Sequence, residues 1–421
     1  MNRRLTVLVH AYACNPNHGS EEGVGWGWVS AISEHHDLHV LTAAYHEADL
    51  EAALESAPQL RERVRFHYIP QRAWHYRPTP VWKRIEESIL KPVMHVAYRS
   101  WQRAAYKLAK ELSETTQFDL VHVITYVGFR FPGQFWKLPL PLVWGPIGGL
   151  ENTPWRYFSA LGTAGAIKFA GRNVINTLHK LLLPAPKRAF RKAEGGVIAA
   201  TSRISEEITK SYDVESIVRC EIGAVRQPDS AELSQRQDGA PLKIVWSALH
   251  VNFKALPLLL QALATLPRTV DWTLTVIGSG PLTNTWQALA TSLGVADRVD
   301  WTGRVTRDVA ISRMAECHVM VVTSLHDLTS SVLIEALCVG LPVICPDHYG
   351  FRDAIDNSCG FKVATTSLAD ISQGIANALV TLHDDEAERQ RLSHGALERS
   401  KLYSWDQTGK IVSGIYESIM Q

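Results

Sequence analysis

The chain has no run of eighteen consecutive apolar residues, so no transmembrane helix is expected. Its basic start, with Arg3 and Arg4, is followed only by the short run Leu5–His10. That is too short for the apolar region of a secretion signal, and it reads as a first strand. The six cysteines (Cys14, Cys220, Cys317, Cys338, Cys345 and Cys359) form no Cys-x-x-Cys pair, and Cys338 and Cys345 lie in apolar runs. This pattern fits reduced, buried thiols in a cytoplasmic protein. No Asp-x-Asp motif, short-period repeat or low-complexity tract is present. Net charge is only +1 and no nucleic-acid-binding motif accompanies it, so nucleic acid is not an expected partner.

What is present is a globular composition, 46% apolar and 20% charged, over 421 residues. That length exceeds one ordinary core, and two domains of about 200 residues each are the default. Strand-like runs at Leu5–His10, Leu38–Thr42, Val64–Ile69, Leu120–Ile124, Leu142–Trp144 and Val197–Thr201 alternate with helical patterns, among them Pro80–Leu112. After a polar stretch, Ala231–Ala240, the alternation restarts. Strands follow at Leu242–Trp246, Trp272–Ile277, Val299–Thr302, Val319–Thr323, Pro342–Cys345 and Gly360–Val363, and helices from Lys254–Leu266 through Trp405–Met420. Strands separated by helices imply right-handed crossovers and parallel sheets. The expectation is an α/β protein of two doubly wound Rossmann-like domains facing a cleft, with ligands at the C-terminal strand ends.

The densest stretch runs from Ser324 to Cys345: a strand end, a polar turn, a helix, then Gly340-Leu-Pro342 and a new strand. Asp327 lies before the helix and Glu335 inside it. Unpaired N–H groups and the helix dipole favour an anion at such a helix start, and the two acids are suited to hold hydroxyls on either side of it. Thr329, Ser330 and Ser331 form the turn and either cap the helix or bind the anion.

Lys254, Val276-Ile-Gly278-Ser-Gly280-Pro-Leu and Arg298-Val-Asp-Trp-Thr-Gly303-Arg304-Val follow one another in the second half. Asp327…Glu335-Ala-Leu…Gly340-Leu-Pro342-Val-Ile and Cys359-Gly360-Phe-Lys-Val continue the series to the closing helix from Trp405. In these blocks the second half resembles the retaining glycosyltransferases of family 4, which have the GT-B fold. The resemblance implies an N-terminal acceptor domain over 1–222, completed by the helix 405–421 crossing back to it, and a donor domain over 223–404. It also implies a sugar transfer from a nucleotide-diphosphate donor, a UDP-sugar rather than a GDP-sugar, with no cofactor and no metal. Glu335 matches the acid that binds the nucleotide ribose, and Asp327 stands where the family usually has a longer Glu against the donor sugar. Lys254 matches the lysine that neutralises the leaving diphosphate. The family's partner arginine is absent, with Leu249 in its place, and His250 or Arg304 is left to compensate. Gly278 and Gly280 alone are a poor dinucleotide signature, since a third glycine and a later acid are missing.

In the first half the resemblance is looser. The turn from Asn15 to Trp26 brings Gly19, Glu21 and Glu22 after the first strand, where glycine lets backbone approach a phosphate or sugar. A tight turn with core glycines is the alternative. His122 falls near the end of a strand where the resembled enzymes contact the donor near the reacting carbon; a buried, satisfied histidine is the alternative. Glu151, after Gly145-Pro-Ile-Gly148-Gly149, is a candidate for acceptor hydroxyls or a simple loop acid. The cluster His35-His36-Asp37-x-His39 lacks a fourth partner and is not read as a metal site.

From Trp155 to Ala193 there are eight Lys/Arg and no acid, interleaved with apolar residues. The stretch Arg72–Lys110 is also basic and carries Trp74, Trp82 and Trp101. Such segments suit the anionic inner face of the cytoplasmic membrane, and equally a solvated face of core-packing helices. The acceptor implied is a saccharide, lipid-linked at that surface. Two alternatives stay open: another GT-B enzyme such as a sugar-nucleotide epimerase, or a catalytically weak GT-B binding partner at the membrane.

Overall fold

The structure, a computed structural model, describes residues 3–70, 91–224 and 233–421, with backbone only for 91–97. The basic stretch around Trp74 and Trp82 and the start of the polar stretch at 231 lie outside the described residues. The chain divides into two compact units. One comprises Met1–Leu150, Leu178–Gly223 and Trp405–Gln421; the other comprises Glu151–Thr177 and Ala224–Ser404.

The first unit contains β1 (Thr6–Ala11), α1 (Ser20–Ser33), β2 (Asp37–Ala43), α2 (Glu47–Ser56), α3 (Pro58–Arg63), β3 (Val64–Ile69), α4 (Lys91–Thr115), β4 (Leu120–Thr125) and β5 (Leu142–Ile147). The helix α5 (Gly162–Leu182), within which the division falls, is followed by α6 (Pro184–Lys192), β6 (Val197–Ala199), α7 (Ser202–Tyr212) and β7 (Ile217–Val218). The strands form one parallel sheet in the order β3-β2-β1-β4-β5-β6-β7. β4 and β5 are buried along their whole length, which is why they read as continuous apolar runs and not as alternation.

The second unit holds β8 (Leu242–Ser247), α8 (Leu256–Ala264), β9 (Trp272–Ile277), α9 (Thr283–Ser292), β10 (Val299–Gly303), α10 (Arg307–Ala315), β11 (Val319–Val321) and α11 (Ser331–Cys338). It continues through β12 (Val343–Pro346), α12 (Tyr349–Ala354), β13 (Gly360–Val363), α13 (Leu368–Asp384) and α14 (Glu386–Lys401). Its parallel sheet runs β10-β9-β8-β11-β12-β13. The core is built from Leu256, Leu259 and Leu263 of α8, Ile371, Ile375 and Leu379 of α13, and the strands between them, with the rings of Trp246, Trp272 and Trp286.

The last helix, α15 (Trp405–Met420), belongs to the first unit. Val412, Ile415 and Tyr416 are part of that unit's core. Its Trp405 ring leaves no room for side chains at Gly27 and Gly223: a Cβ would fall 2.0 and 2.3 Å from it. The domain boundary expected from sequence order needs one correction. Glu151–Thr177, assigned above to the first domain, groups with the second unit. The physical reason is packing: Tyr157 is fully buried in the second core with its hydroxyl 2.9 Å from His348 Nδ1, and the Leu161 carbonyl accepts from the Asn252 amide at 2.5 Å.

One helix also begins later than expected. Asn252–Lys254 is a short 3-10 turn, Ala255 takes a left-handed conformation (φ 50°), and α8 starts at Leu256 with a proline in its first turn. Proline has no N–H to donate and fits that first turn, so the regular helix starts just beyond Lys254.

Candidate functional site

In each sheet the strand order reverses once, between β1 and β4 in the first and between β8 and β11 in the second. The loops leaving the C-terminal ends of such strands diverge and open a crevice suited to ligands. In the second unit Lys254 and Asp327, both singled out by sequence, meet at that reversal. Lys254 follows β8 and Asp327 follows β11, and the Lys254 ammonium donates to the Asp327 carboxylate.

Backbone ties hold these two loops together. The Leu325 N–H donates to the Phe253 carbonyl at 2.7 Å, and the Thr323 hydroxyl donates to the Lys254 carbonyl at 2.6 Å. Trp246 at the end of β8 donates through its indole N–H to that same hydroxyl at 2.9 Å. The second Asp327 oxygen accepts the Leu328 N–H at 3.1 Å. Both charged side chains are four-fifths or more buried, where a lone charge is expensive and a pair is not.

α11 starts four residues beyond Asp327. Thr329 and Ser330 are buried and Ser331 is exposed. Ser330 occupies the cap position, yet its side chain makes no capping bond, so a capping role for that hydroxyl is not seen. Leu333, Ile334, Ala336 and Leu337 are buried, and Glu335 is the one acid of this helix. Its carboxylate accepts a bond from Arg307 Nε at 2.7 Å. Arg307 opens α10 and was not singled out by sequence; an arginine at a helix start carries no local signal of its partner.

Gly278 and Gly280 serve close backbone approach. Gly278 has φ 118°, and a Cβ there would lie 2.1 Å from the Ala248 carbonyl oxygen. At Gly280 it would lie 2.7 Å from the His250 oxygen. His250 is buried, bonded to the Thr283 hydroxyl at 2.8 Å, and held below the ordinary histidine pKa by burial. Arg304 is exposed beyond β10 and makes no ion pair among the described residues.

His326, beside Asp327, was not anticipated. Its Nε2 faces a guanidinium nitrogen of Arg172 in a short contact, and its Nδ1 lies 3.0 Å from the Thr153 hydroxyl and 3.3 Å from that of Tyr349. Arginine only donates, so Nε2 accepts and Nδ1 carries the proton. Burial, and then the charges of Arg172 and Lys254, push its pKa down to about 3. Arg172, one of the eight basic residues between Trp155 and Ala193 read above as an outer surface, is instead turned inward.

The remaining candidates lie elsewhere in the fold. Glu151 belongs to the second unit, where its carbonyl accepts from Asn176 at 3.3 Å. In the first unit Glu21 accepts the Val127 N–H at 2.9 Å, tying the first turn of α1 to the loop after β4. Burial raises its pKa. Glu22 pairs with His18 at 2.6 Å. Nothing lies within 4 Å of a Cβ placed on Gly19, whereas one on Gly25 would meet the Ala13 oxygen at 1.9 Å, so Gly25 and Gly27 serve packing.

His122 requires correction. Its ring is fully buried, with Nδ1 2.7 Å from the Tyr416 hydroxyl and Nε2 2.9 Å from the Gly145 carbonyl oxygen. Both nitrogens are committed inside the first unit, against α15, and neither is presented to a substrate. Burial lowers its pKa to about 3. Trp101, expected at an interface with lipid, is likewise buried, its ring 5.0 Å from that of His10. Among the described residues no group of three or more His, Cys, Asp or Glu is placed to hold a metal ion.

Residues 234–399 match the family model of glycosyl transferases group 1. The D-inositol 3-phosphate glycosyltransferase of Corynebacterium glutamicum (strain R) is 31% identical over 200 residues, covering 44% of this chain and 46% of that one. The 2-deoxystreptamine N-acetyl-D-glucosaminyltransferase of Streptomyces fradiae is 25% identical over 314 residues, covering 70% of this chain and 69% of that one. The chain thus spans about half the length of the first of these relatives. Among solved structures, Anabaena Alr3699/HepE in complex with UDP aligns over 98% of this chain and 100% of its own, with a TM-score of 0.61 at 16% identity. With the two parallel sheets, these likenesses make the fold α/β, of the two-domain GT-B type. The matched segment contains Lys254, Asp327, Glu335 and α11, all within the second unit.

Proposed function

We propose that the chain is a retaining, metal-independent glycosyltransferase that moves a sugar from a nucleotide-diphosphate donor, a UDP-sugar before a GDP-sugar, to a saccharide acceptor carried on a lipid. The observation that carries this reading is the meeting of Lys254, Asp327 and the start of α11 at the strand reversal of the second sheet, with Glu335 one turn further on. The family match over the same residues and the UDP complex of the Anabaena protein support a nucleotide-sugar as donor.

In the proposed reaction the bond from the sugar's anomeric carbon to the diphosphate breaks, and its electron pair leaves with the phosphate oxygen. Lys254 and the N–H groups at the start of α11 stabilise that charge as it develops, in a partly desolvated crevice where such donors act strongly. The acceptor hydroxyl attacks the same face, and its proton passes to the departing phosphate. Glu335 holds the ribose hydroxyls, with Arg307 fixing its carboxylate. Asp327 orients Lys254 and faces the donor sugar. A peripheral place at the inner membrane face is part of the proposal. It is supported by the exposed row Ile167, Val174, Ile175, Leu178, Leu181 and Leu182 along α5 and by the exposed Lys187, Arg188, Arg191 and Lys192 that follow. No helix among the described residues is long and apolar enough to cross a membrane.

The test is a panel of nucleotide-sugars with lipid-linked saccharides, read as acceptor-dependent release of nucleoside diphosphate. Lys254→Ala is expected to slow release about a hundred-fold or more, and a chelator to leave it unchanged. If no donor is consumed and Glu335→Ala leaves nucleotide affinity untouched, the reading fails. A product of inverted anomeric configuration would remove retention alone.

A further inference from the structure

The loop from Ser324 to Leu328, which carries Asp327, is tied alternately to two sides. Leu325 and Asp327 are joined to the loop after β8: the Leu325 N–H donates to the Phe253 carbonyl at 2.7 Å, and Asp327 pairs with Lys254. Ser324, His326 and Leu328 are held by other parts of the second unit. The Ser324 carbonyl accepts from His348 Nε2 at 2.8 Å, and the Leu328 carbonyl accepts the Gly350 N–H at 2.9 Å. His348 Nδ1 in turn accepts from the Tyr157 hydroxyl at 2.9 Å.

His326 is the middle residue of this loop and the one whose ring is fixed by a charge. Its Nε2 accepts from the half-buried Arg172 guanidinium of α5, and its Nδ1 reaches the Thr153 and Tyr349 hydroxyls at 3.0 and 3.3 Å. Tyr349 has a left-handed backbone (φ 49°), which a bulky residue keeps only where its surroundings fix it. The His326 ring centroid lies 5.1 Å from that of Phe169 and 6.3 Å from that of Phe253. Phe253 precedes Lys254, and the Lys254 ammonium lies 5.8 Å from the centroid of its ring. One imidazole therefore adjoins both partners of the ion pair: Asp327 through a peptide bond, and Lys254 through the Phe253 ring.

We infer that Arg172 is a positioning residue of the site: through His326 it sets the direction of Asp327 and, with it, the place of the Lys254 ammonium. Arginine suits that task. It is always a donor, so Nε2 is always the acceptor, and its bond is charge-assisted and about twice as strong as a neutral one. An apolar side chain would serve burial at this position without desolvating a charge; what the guanidinium adds is a fixed ring orientation. The role in catalysis rests on the transfer reaction proposed above, and the geometric role does not.

The test compares the full chain with Arg172→Met, Arg172→Lys and His326→Asn, and with the double variant Arg172→Met/His326→Asn. Arg268→Gln, at an exposed position of the loop before β9, is an equal charge change elsewhere in the second unit. Acylation of Lys254 under native conditions is followed residue by residue by mass spectrometry, because an amine released from its carboxylate reacts faster. Arg172→Met and His326→Asn are each expected to speed Lys254 labelling about three-fold or more, with the double variant no faster than either and Arg268→Gln unchanged. In acceptor-dependent turnover the same two variants are expected to lower kcat about ten-fold or more with KM for the donor within about two-fold, and Arg172→Lys to recover most of the loss. Unchanged Lys254 labelling in Arg172→Met, or independent effects that multiply in the double variant, overturns the inference. A raised donor KM at unchanged kcat also overturns it, since Arg172 would then act in ground-state binding. If the unsubstituted chain turns over no donor, the transfer reaction fails, and the labelling alone decides whether Arg172 positions the pair.

Discussion

Glu335 accepts a hydrogen bond from Arg307 Nε at 2.7 Å across 28 positions of sequence, joining the start of α10 to the middle of α11. The carboxylate is 12% exposed and the arginine 46% exposed, so the acid depends on its partner more than the reverse. Glu335→Ala is therefore expected to cost little stability, under about 1 kcal/mol, because the freed Arg307 stays hydrated. Its effect belongs to binding: two lost charge-assisted hydroxyl bonds of about 1.5 kcal/mol or more each predict at least a ten-fold loss of nucleotide affinity. Calorimetric titration with UDP beside a thermal melt separates the two effects, and a large drop in melting temperature with unchanged affinity would reverse the assignment.

Lys254 and Asp327 behave differently, because both are mostly buried. Removing either partner leaves the other as an uncompensated charge, and about 1–3 kcal/mol of destabilisation is expected for Lys254→Ala or Asp327→Ala. The double substitution is expected to be less damaging than the sum, with a coupling of about 1 kcal/mol or more in a denaturant cycle. Additive losses would mean that the two groups do not depend on each other.

Gly278 tests the backbone side of the site. Alanine there needs φ 118° and places its Cβ 2.1 Å from the Ala248 oxygen, so the loops after β8 and β9 must separate. About 2–4 kcal/mol of lost stability is expected from urea unfolding of Gly278→Ala. Gly294→Ala meets nothing within 4 Å and has only its φ of 69° to bear, so its cost is expected near 1 kcal/mol.

Acid should destabilise the fold through its buried histidines. Burial lowers His10 and His348 to about 4, and His122 and His326 to about 3, against an ordinary value near 6.5. Between those limits the unfolded chain binds more protons than the folded one, so stability is full above about pH 6.5 and falls as pH drops toward 3–4. Melting temperature is expected to be level from pH 7 to 8 and to decline steadily from 6 to 4. His10 sits among the rings of Trp101 and Phe135, so His10→Phe should flatten this decline by about 1–3 kcal/mol at pH 4. An unchanged acid limb in that variant would exclude His10 as a contributor.

Local pattern carried far in this chain. The strands Trp272–Ile277 and Gly360–Val363 and the helix Trp405–Met420 lie where periodicity places them. The two-residue strand β7 was illegible, because Ile217 and Val218 are too few to show a period. The helices α5 and α6 were read only as a basic apolar stretch, since exposed leucines and isoleucines on α5 blur the period of a buried face. Lys254, Asp327 and Glu335 were legible because each sits in a block with turn and helix signals around it. Arg307, His326 and Arg172 were not, because their roles depend on partners 28 and 154 positions away. His122 misled for the same reason: its position on β4 suggested a ligand contact, and the contact it makes is with Tyr416, 294 positions on.

Amino-acid order alone determined the alternation of buried strands and helices, hence two parallel sheets, and placed the candidates Lys254 and Asp327 after β8 and β11. Hydrophobic period, turn residues and helix starts act over a few positions, so a linear reading recovers them. Tertiary structure decided which of the polar residues face one another. It gave Lys254 to Asp327, Arg307 to Glu335 and Arg172 to His326, and withdrew His122 into the core. Charge pairing and burial depend on distance in space, and chain separation says little about that distance once crossovers have stacked distant strands side by side.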